Sequence, residues 1–510
     1  MRYYNTCIYD RRDNLVHGTI IDVDEETGII REVYTDNNYK PEDGDFDCHG
    51  LVAYPAFMDC AVVAPGKYLF SSCGLDISGY NSVREYRNAI ETYAKEKPIR
   101  GFGYNSFIIS EEGTGVLKKL LDKRYPNKPA YILADDMTTV VVNEAVLEVA
   151  KEYFSVSREL HSDGELDYYQ LSILRAKTDI FDFTVEELQT ALLAFQYEML
   201  SNGITAVKIV DTLGGWSVIE AIKQLYESGV WLLTAVLNVP VYPFESVDEM
   251  WQKYQKYLDI TNQRMFVTGI SLCLDGSIDS TQAALQEPYE GSAEWTGDIM
   301  WSLSKLSKVV STFVDAGIDV NARAYGDRAV SAAVFAMSGR NTDYKSGRRI
   351  ITHAYLMSDD DISLCNREGI IVCVEPNSVP CNNIFYEGDE IMLGERCFSQ
   401  YPVGRLVFSG VKIIAGSNVP TQADINPIHG VYKATHRVSA DDVTIYQSLI
   451  AYGKNAYSSV GLWNKMGSIS VGKLANFVLL NKDLIHMNET ALMDVLVMGT
   501  VVCGKTVYSS

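Results

Sequence analysis

The middle of this chain alternates short, nearly continuous apolar runs with amphipathic helical stretches, and this alternation constrains the fold more than any other feature. Runs rich in Val, Ile and Leu are typical of parallel strands that are covered on both faces. Helical patterns, such as those over 218–227 and 302–316, lie between the later runs. The eight runs are Leu51–Met58, Ile204–Val210, Trp231–Leu237, Phe266–Leu274, Ile318–Ala322, Ile350–His353, Ile370–Val374 and Val411–Ala415. The pattern predicts a (β/α)8 TIM barrel of the α/β class, with its site at the carboxyl ends of the strands.

Both ends of the chain have a different texture. Short β-rich runs separated by turn residues occupy the first fifty residues, and the same texture returns after residue 465. Because neither end has enough helix to cover a sheet, and chain ends often lie close together, we predict one β-sandwich domain from residues 1–50 and 466–510. The barrel then comprises residues 51–66 and 201–465. Residues 67–200 are too many for one crossover helix, and they predict an inserted α+β subdomain over the barrel mouth.

The composition disfavours several classes of partner. Lys and Arg number 44 and Asp and Glu number 66, so the net charge is −22. Nucleic acids and anionic membranes both need a basic protein face, and we expect neither as a partner. No Cys-x-x-Cys pair occurs, no apolar run approaches the ~18 residues of a membrane span, and the first residues lack a signal-peptide core. These features predict a cytoplasmic protein that binds a small molecule.

Five groups of short motifs, in order along the chain, resemble those of one enzyme superfamily. They are Pro55–Asp59, Gly203–Val207, Asp275–Ser277 with Glu287–Tyr289, Gly326–Val330, and Gly467–Ile469 with Gly472–Asn476. On these motifs the chain resembles the amidohydrolase superfamily, in the YtcJ-like or amidohydrolase-3 branch. The resemblance implies hydrolysis of amide, carbamate or related C–N bonds, in which zinc or another divalent metal lowers the pKa of a bound water. It also suggests a homodimer.

The positions that carry the metal ligands in this superfamily hold other residues here, except for His353. The replacements are Ala61 and Val63 for a His-x-His pair on strand one, Thr138 for a His in the inserted subdomain, Ser271 for a bridging Lys, Arg323 for a strand-five His, and Asn418 for a proton-transferring Asp. Alkyl side chains donate no lone pair, and one imidazole cannot supply the donors that zinc requires. An amide cannot act as a general base. The sequence therefore predicts loss of the metal site and no metal cofactor.

Three residues at the predicted barrel mouth are candidates for catalysis. Arg323 could replace the lost positive charge and bind an anion through its guanidinium group, or it could compensate the charge of Asp275 or Asp327. His353 could be an acid or base, or a relic imidazole held by hydrogen bonds. Asp275 could take part in chemistry or shape the turn after strand four. Asp327 is a candidate ligand-binding residue that could instead cap the next helix.

Four more residues are candidates for ligand binding. Ser271 faces the ancestral metal site, Asn418 follows strand eight, and Thr138 lies ahead of a Val-Asn pair in the inserted subdomain. Tyr104 resembles an aromatic residue that covers the pocket in the family, and it could equally be a packing residue. Strand alternation places Cys60 away from the face of Ala61 and Val63, so we do not expect a thiol nucleophile.

Three hypotheses for the function follow. The first is a pseudoenzyme that retains the amidohydrolase architecture and binds a small ligand, which could be anionic, at the barrel mouth. The second is a metal-independent enzyme that uses Arg323 as an anion clamp and His353 as an acid or base. The third is a conventional metal-dependent hydrolase of amide or carbamate C–N bonds. The fold alone does not decide between them.

Overall fold

Eight parallel strands, hydrogen-bonded in the order of the sequence, form the centre of the chain. The computed structural model describes residues 1–510 except 11, 37, 95–96, 110–112, 155–159, 214, 216, 340–345, 380–386, 419–423 and 438–441. The strands are β1 (Arg2–Tyr9), β2 (Leu15–Val23), β3 (Ile30–Thr35), β4 (Phe46–Asp47), β5 (Val52–Pro55), β6 (Phe57–Ala64), β7 (Leu75–Asp76), β8 (Arg100–Tyr104), β9 (Tyr131–Ala134), β10 (Val140–Val142), β11 (Glu165–Leu166), β12 (Ile204–Thr212), β13 (Thr234–Pro240), β14 (Met265–Cys273), β15 (Asp319–Ala324), β16 (Arg349–His353), β17 (Ile371–Val374), β18 (Ile413–Ala415), β19 (Phe477–Leu480), β20 (Val497–Val502) and β21 (Lys505–Ser509).

Helices connect the barrel strands and surround the inserted segment. They are α1 (Lys67–Cys73), α2 (Val83–Thr92), α3 (Ser106–Ile109), α4 (Gly115–Arg124), α5 (Glu144–Ala150), α6 (Tyr168–Lys177), α7 (Val185–Ser201), α8 (Ser217–Glu227), α9 (Val247–Leu258), α10 (Leu303–Asp315), α11 (Asp327–Met337), α12 (Asp359–Glu368), α13 (Glu387–Leu393), α14 (Val403–Phe408), α15 (Pro427–Thr435), α16 (Ile445–Tyr452) and α17 (Lys454–Ser459). Short 3-10 helices span Pro376–Ser378, Gly394–Ser399 and Glu489–Asp494. In the described part of the chain, no helix has the length and apolar character needed to cross a bilayer.

The barrel consists of β6 and β12 to β18, and the predicted TIM-barrel fold is confirmed. Each of the eight predicted runs overlaps one of these strands. The prediction for strand one was wrong in extent, because the run Leu51–Met58 merges two strands. Residues 52–55 belong to β5, which pairs with β19 in a separate sheet, and the barrel strand begins at Phe57. Pro55, the last residue of β5, marked this boundary, because Pro within an apolar run argues against one continuous strand.

Both termini contribute to one sheet, which runs in the order β21-β20-β19-β5-β1-β2-β3, with β4 paired to β1. The hydrophobic core of this sheet includes side chains from strands near both of its edges, among them Val23 of β2 and Val501 of β20. The ring of Tyr3 packs edge-on against Phe477, with ring centroids 5.0 Å apart. The two ends of the chain therefore build one structural unit, and the sheet curls around a shared core.

The segment between β6 and β12 forms a five-stranded sheet in the order β11-β10-β9-β8-β7, with α1 to α7 around it. Capping boxes begin two of its helices, because Asp167 with Gln170 and Thr184 with Glu187 satisfy the first free N–H groups of α6 and α7. Helix α6 starts at Tyr168, which hydrogen bonds Asp211 at the end of barrel strand β12. The inserted segment therefore contacts the carboxyl end of the barrel.

Replacing Phe477 with Ala should destabilise the protein strongly. Phe477 is completely buried between strands from both termini, and losing a buried Phe side chain costs about 3–5 kcal/mol. We expect a clear fall in the temperature of the first melting transition. Phe335→Ala is the control, because this ring is 63% exposed, and such a change should cost no more than about 0.5 kcal/mol. Equal shifts in melting temperature for the two variants would contradict a hydrophobic core that the two termini share.

Candidate functional site

A buried cluster of charges joins the barrel mouth to the inserted subdomain. The Asp211 carboxylate at the end of β12 accepts a hydrogen bond of 2.8 Å from Arg323 Nη1 of β15. Arg175 Nη2 of helix α6 lies 3.4 Å from the other oxygen of Asp211. The hydroxyl of Tyr168 donates to Asp211 at 3.1 Å. One carboxylate therefore connects two barrel strands and the helix above them.

The expectation that Arg323 compensates Asp275 or Asp327 was wrong, because its partner is Asp211. Two guanidinium groups face this one carboxylate, so the described cluster retains one positive charge. Although burial opposes it, the charges of Arg175 and Arg323 hold the pKa of Asp211 below its usual value. Arg323 Nε is buried and has no hydrogen-bond partner among the described residues. The cluster is thus suited to a further acceptor or anion.

A second buried group surrounds His353 at the end of β16. Its Nδ1 is hydrogen-bonded to Glu375, which directly follows β17 and also accepts a 2.7 Å hydrogen bond from the Tyr355 hydroxyl. The imidazole stacks on the ring of Tyr325, with centroids 3.9 Å apart. Because Glu375 accepts from Nδ1, the neutral imidazole presents a lone pair at Nε2. Nε2 is buried and has no partner in the described part of the chain.

The backbone at His353 is also unusual. Its φ is 75°, and that of Ala354 is 48°, so two consecutive non-glycine residues adopt the left-handed region. Such residues cost about 1–3 kcal/mol each and persist where the surroundings over-determine them, often at functional sites. Burial lowers the pKa of His353, although the Glu375 carboxylate opposes this effect. His353 is thus held neutral in a fixed orientation.

Strand β6 and the chain after β18 close the barrel through Asp59 and Asn418. The Asp59 carboxylate accepts hydrogen bonds from the backbone and hydroxyl of Ser417, and the Asn418 N–H donates to the Ala61 carbonyl at 2.9 Å. A Cβ on Gly416 would lie 2.6 Å from that of Ala61, so strand eight approaches this position closely. Ala61 and Asn418 therefore join the first barrel strand to the chain after the eighth.

The expected orientation of Cys60 was wrong. The pairing of β6 with β12 shifts register between Asp59 and Val62, and strict alternation fails there. Cys60 consequently packs in the same barrel-interior cluster as Ala61. Burial raises the pKa of its thiol well above the usual value, which disfavours the thiolate that a nucleophile needs.

Asp275 and Asp327 bind backbone groups. The Asp275 carboxylate accepts hydrogen bonds from the N–H groups of Ala284, Tyr325 and Gly326, each at 2.9 Å, and it thereby joins the loops after β14 and β15. Burial raises the pKa of Asp275 to about 7 despite these donors. The prediction that Asp327 caps helix α11 was wrong, because Gly326 is the N-cap residue. Asp327 instead accepts from the Gln286 N–H at 2.8 Å.

The other candidate residues occupy separate places. Ser271 is buried at the end of β14, in the same cavity as Arg323. Thr138 lies in the inserted subdomain, where its hydroxyl donates to Asp136 and contacts Ser280 of the loop after β14. Tyr104 is in the core of the inserted sheet, and its hydroxyl lies 2.7 Å from that of Thr139. The structure therefore gives Tyr104 a packing position and brings Ser271 and Arg323 together.

Two cavities adjoin the charged cluster. The mouth cavity, of about 10 Å³, is lined by residues that include Tyr168, Asp211, Ser271 and Arg323. This volume holds roughly one water molecule. The rim cleft, of about 430 Å³, lies between α6 and α9 and is lined by Arg175 among others. Both cavities contact Tyr242, so only a thin wall of side chains separates them.

The buried ionisable residues of the barrel that were not identified from the sequence include Asp211, Glu375 and Lys208. Asp211 and Glu375 each follow directly after a predicted strand, at the edge where barrel sites are found, and this position was a usable signal. Lys208 lies in the middle of β12, completely buried, and its amine has no hydrogen-bond partner among the described residues. Burial lowers the pKa of Lys208. An isolated Lys in an apolar run does not reveal which face it takes.

A protein-family model described as the amidohydrolase family matches residues 46–508, and the chain therefore belongs to this family. Protein LONG AFTER FAR-RED 3 of Arabidopsis thaliana is 24% identical over 352 residues, which cover 64% of this chain. The match spans only 58% of the length of that relative.

Solved structures share the same fold. An uncharacterized metal-dependent hydrolase from Pyrococcus horikoshii OT3 is 19% identical, with a TM-score of 0.73, over 96% of this chain and 99% of that one. Atrazine chlorohydrolase TrzN from Arthrobacter aurescens TC1, complexed with zinc, is 10% identical, with a TM-score of 0.57, over 100% of this chain and 95% of that one. At these identities the likeness establishes the fold alone.

Replacing Asp59 with Asn should reduce the loss of stability as the pH rises. Burial raises the pKa of folded Asp59 to about 6, above the ~3.9 of an unfolded chain. The folded state therefore keeps a proton that the unfolded state releases, and the stability from this group falls between about pH 4 and that folded pKa. We expect the melting temperature of Asp59→Asn, relative to the wild type, to rise across this window and then level off.

The control for this experiment is Asp360→Asn, which changes an exposed carboxyl group. Its melting temperature relative to the wild type should not follow the same curve. A constant offset between Asp59→Asn and the wild type over the whole window would show that Asp59 titrates normally.

Proposed function

We propose that this protein is a pseudoenzyme of the amidohydrolase family that binds a small anionic ligand at the barrel mouth and uses no catalytic metal. The observation that carries the proposal is the cluster in which Arg323 and Arg175 share the single carboxylate of Asp211. Its surplus positive charge is buried, where an ion pair is stronger than in water. The unpartnered Nε of Arg323 supplies a donor for a carboxylate or a similar group.

The residues at the ancestral ligand positions do not suit a divalent ion. They offer a methyl and an isopropyl group, a hydroxyl, a guanidinium, an amide and one imidazole, from Ala61, Val63, Ser271, Arg323, Asn418 and His353. A cationic guanidinium repels a divalent cation, and one imidazole falls short of the three or four donors of a zinc site. Within the described residues, no group of three or more His, Cys, Asp or Glu side chains is arranged to hold a metal. The proposal therefore assigns no step to a metal.

Replacing Arg323 with Met should weaken the binding of small carboxylates. The screen would use small carboxylates, N-acyl amino acids and hydantoin-like compounds, and thermal shift would measure binding. Asp211 keeps Arg175 as a partner in this variant, so we expect the fold to survive. A lost charge-assisted hydrogen bond of about 1.5–3 kcal/mol corresponds to roughly 10- to 100-fold weaker binding.

Arg348→Met is the matched control, because it makes the same charge change beside Asp319 at the opposite end of the barrel. Unchanged carboxylate binding in Arg323→Met would discard the anion site. Elemental analysis of protein purified without added metal should give well under one transition ion per chain. Stoichiometric zinc, manganese or iron would overturn the proposal in favour of a metal-dependent hydrolase.

A second candidate function is metal-independent catalysis, and the geometry of His353 favours it specifically. Glu375 orients the imidazole through Nδ1 and leaves Nε2 unpartnered, which is the arrangement that a general base requires. In this case Arg323 would hold the anionic part of the substrate, and His353 would accept or donate the proton. The two residues lie on neighbouring strands, because Ala324 pairs with His353.

Under this second candidate, replacing His353 with Gln should remove turnover of any substrate found in the screen while leaving the melting curve cooperative. The lowered pKa of His353 predicts a rate that rises with pH and reaches its plateau below neutrality, because the neutral imidazole is the active base. His486→Gln is the control, since this His also pairs with a carboxylate, Asp483, but is half exposed in the terminal domain. Absence of turnover in the wild type, or full turnover in His353→Gln, would rule out this candidate.

A further inference from the structure

One face of helix α6 lines both the mouth cavity and the rim cleft. Tyr168 and Ser172 border the mouth cavity, and Arg175 and Ala176 border the cleft. Successive members of this set are separated by four, three and one positions along α6. Together they lie on one side of the helix. The inserted subdomain therefore supplies a continuous wall that runs from the barrel mouth to the molecular surface.

The rim cleft has the size of a small-molecule site. Its volume of about 430 Å³ lies within the roughly 300–1,000 Å³ of known ligand pockets. Apolar groups line it at Ala176, Ile219 and Pro240. The ring of Tyr242 forms the wall towards the barrel and stacks on Phe244, with centroids 5.3 Å apart and planes within 7°. The lining thus places an aromatic side chain beside aliphatic groups.

The cationic residues of the cleft differ in how they are compensated. Lys253 lies 3.0 Å from Glu245 and above the ring of Tyr242, so an acid of the cleft balances its charge. Arg175 shares Asp211 with Arg323, which takes the shorter contact of 2.8 Å. The hydrogen bonds described for Arg175 are both made by Nη2, to Asp211 and to the Thr212 carbonyl. Its guanidinium therefore carries the surplus charge of the cluster to the edge of the cleft.

The geometry points to the rim cleft as the binding site for the body of a small organic carboxylate with an aromatic or compact apolar group. The carboxylate pairs with Arg175, and the apolar body lies against Tyr242 and Pro240. This inference deepens the proposed function, on which it rests for the anionic nature of the ligand. It places most of the ligand outside the barrel axis, because the mouth cavity itself has room for only about one water.

The test fills the cleft without touching the charged cluster. Ala176 is exposed at its edge, so Ala176→Trp can occupy the cleft while the buried side of α6 stays unchanged. Thr190→Trp, on the exposed face of α7, is the matched control. The probes are phenylacetate, its neutral counterpart phenylacetamide, and acetate, and isothermal titration calorimetry measures their binding.

We expect phenylacetate to bind the wild type and Thr190→Trp equally, and to bind Ala176→Trp at least about tenfold more weakly. Phenylacetamide should bind the wild type at least about tenfold more weakly than phenylacetate, because it lacks the charge that pairs with Arg175. Acetate should also bind more weakly, because it lacks the apolar body. Arg175→Met should lose the preference for the acid over the amide, while Asp211 keeps Arg323 as its partner.

The outcomes separate this inference from the proposed function. If Ala176→Trp binds phenylacetate like the wild type while Arg323→Met does not bind it, the mouth site stands and the cleft assignment is overturned. If the reverse holds, the cleft assignment stands and the anion site at Arg323 is discarded. Equal binding of phenylacetamide and phenylacetate, or no binding of any probe to the wild type at millimolar concentration, overturns the cleft assignment.

Discussion

The carboxylate of Asp211 is the buried group that joins the barrel to the inserted subdomain. It bonds Arg323 on another barrel strand, and it bonds Tyr168 and Arg175 on the helix that covers the mouth. A buried carboxylate without partners would be costly, and so would either guanidinium. The barrel and the inserted subdomain are therefore held in one arrangement, because separating them would leave buried charges unpaired.

Polar contacts at the carboxyl ends of the barrel strands also join neighbouring strands and loops. Guanidinium groups supply positive charge at the carboxyl ends of the barrel strands. Polar residues at other strand ends form hydrogen bonds with neighbouring strands and loops. Asp59 and Asn418 link strand one to the chain after strand eight, and Asp275 binds three backbone N–H groups. The carboxylates of Asp59 and Asp275 thus each bind groups of a neighbouring segment.

Much of the fold could be predicted from local sequence patterns. Val/Ile/Leu runs predicted the eight barrel strands, since burial on both faces leaves a strong apolar signal. The run Leu51–Met58 was misread as one strand, although Pro55 marks the end of β5, and β5 and β6 belong to different sheets. At the site, Arg323, His353 and Ser271 could be placed by motif spacing. Their partners could not, because Arg323 is 112 residues from Asp211 and its motif carries no trace of that contact.

The sequence by itself determined the barrel, the joining of the two termini and the absence of imidazole pairs on strand one, because each of these follows from residue types and short-range order. Only the tertiary structure decided which charges meet. It paired Arg323 with Asp211 and His353 with Glu375, and it placed Cys60 inside the barrel through a shift in strand register. The physical reason is that burial and Coulomb energy depend on distances in space, which local patterns leave open.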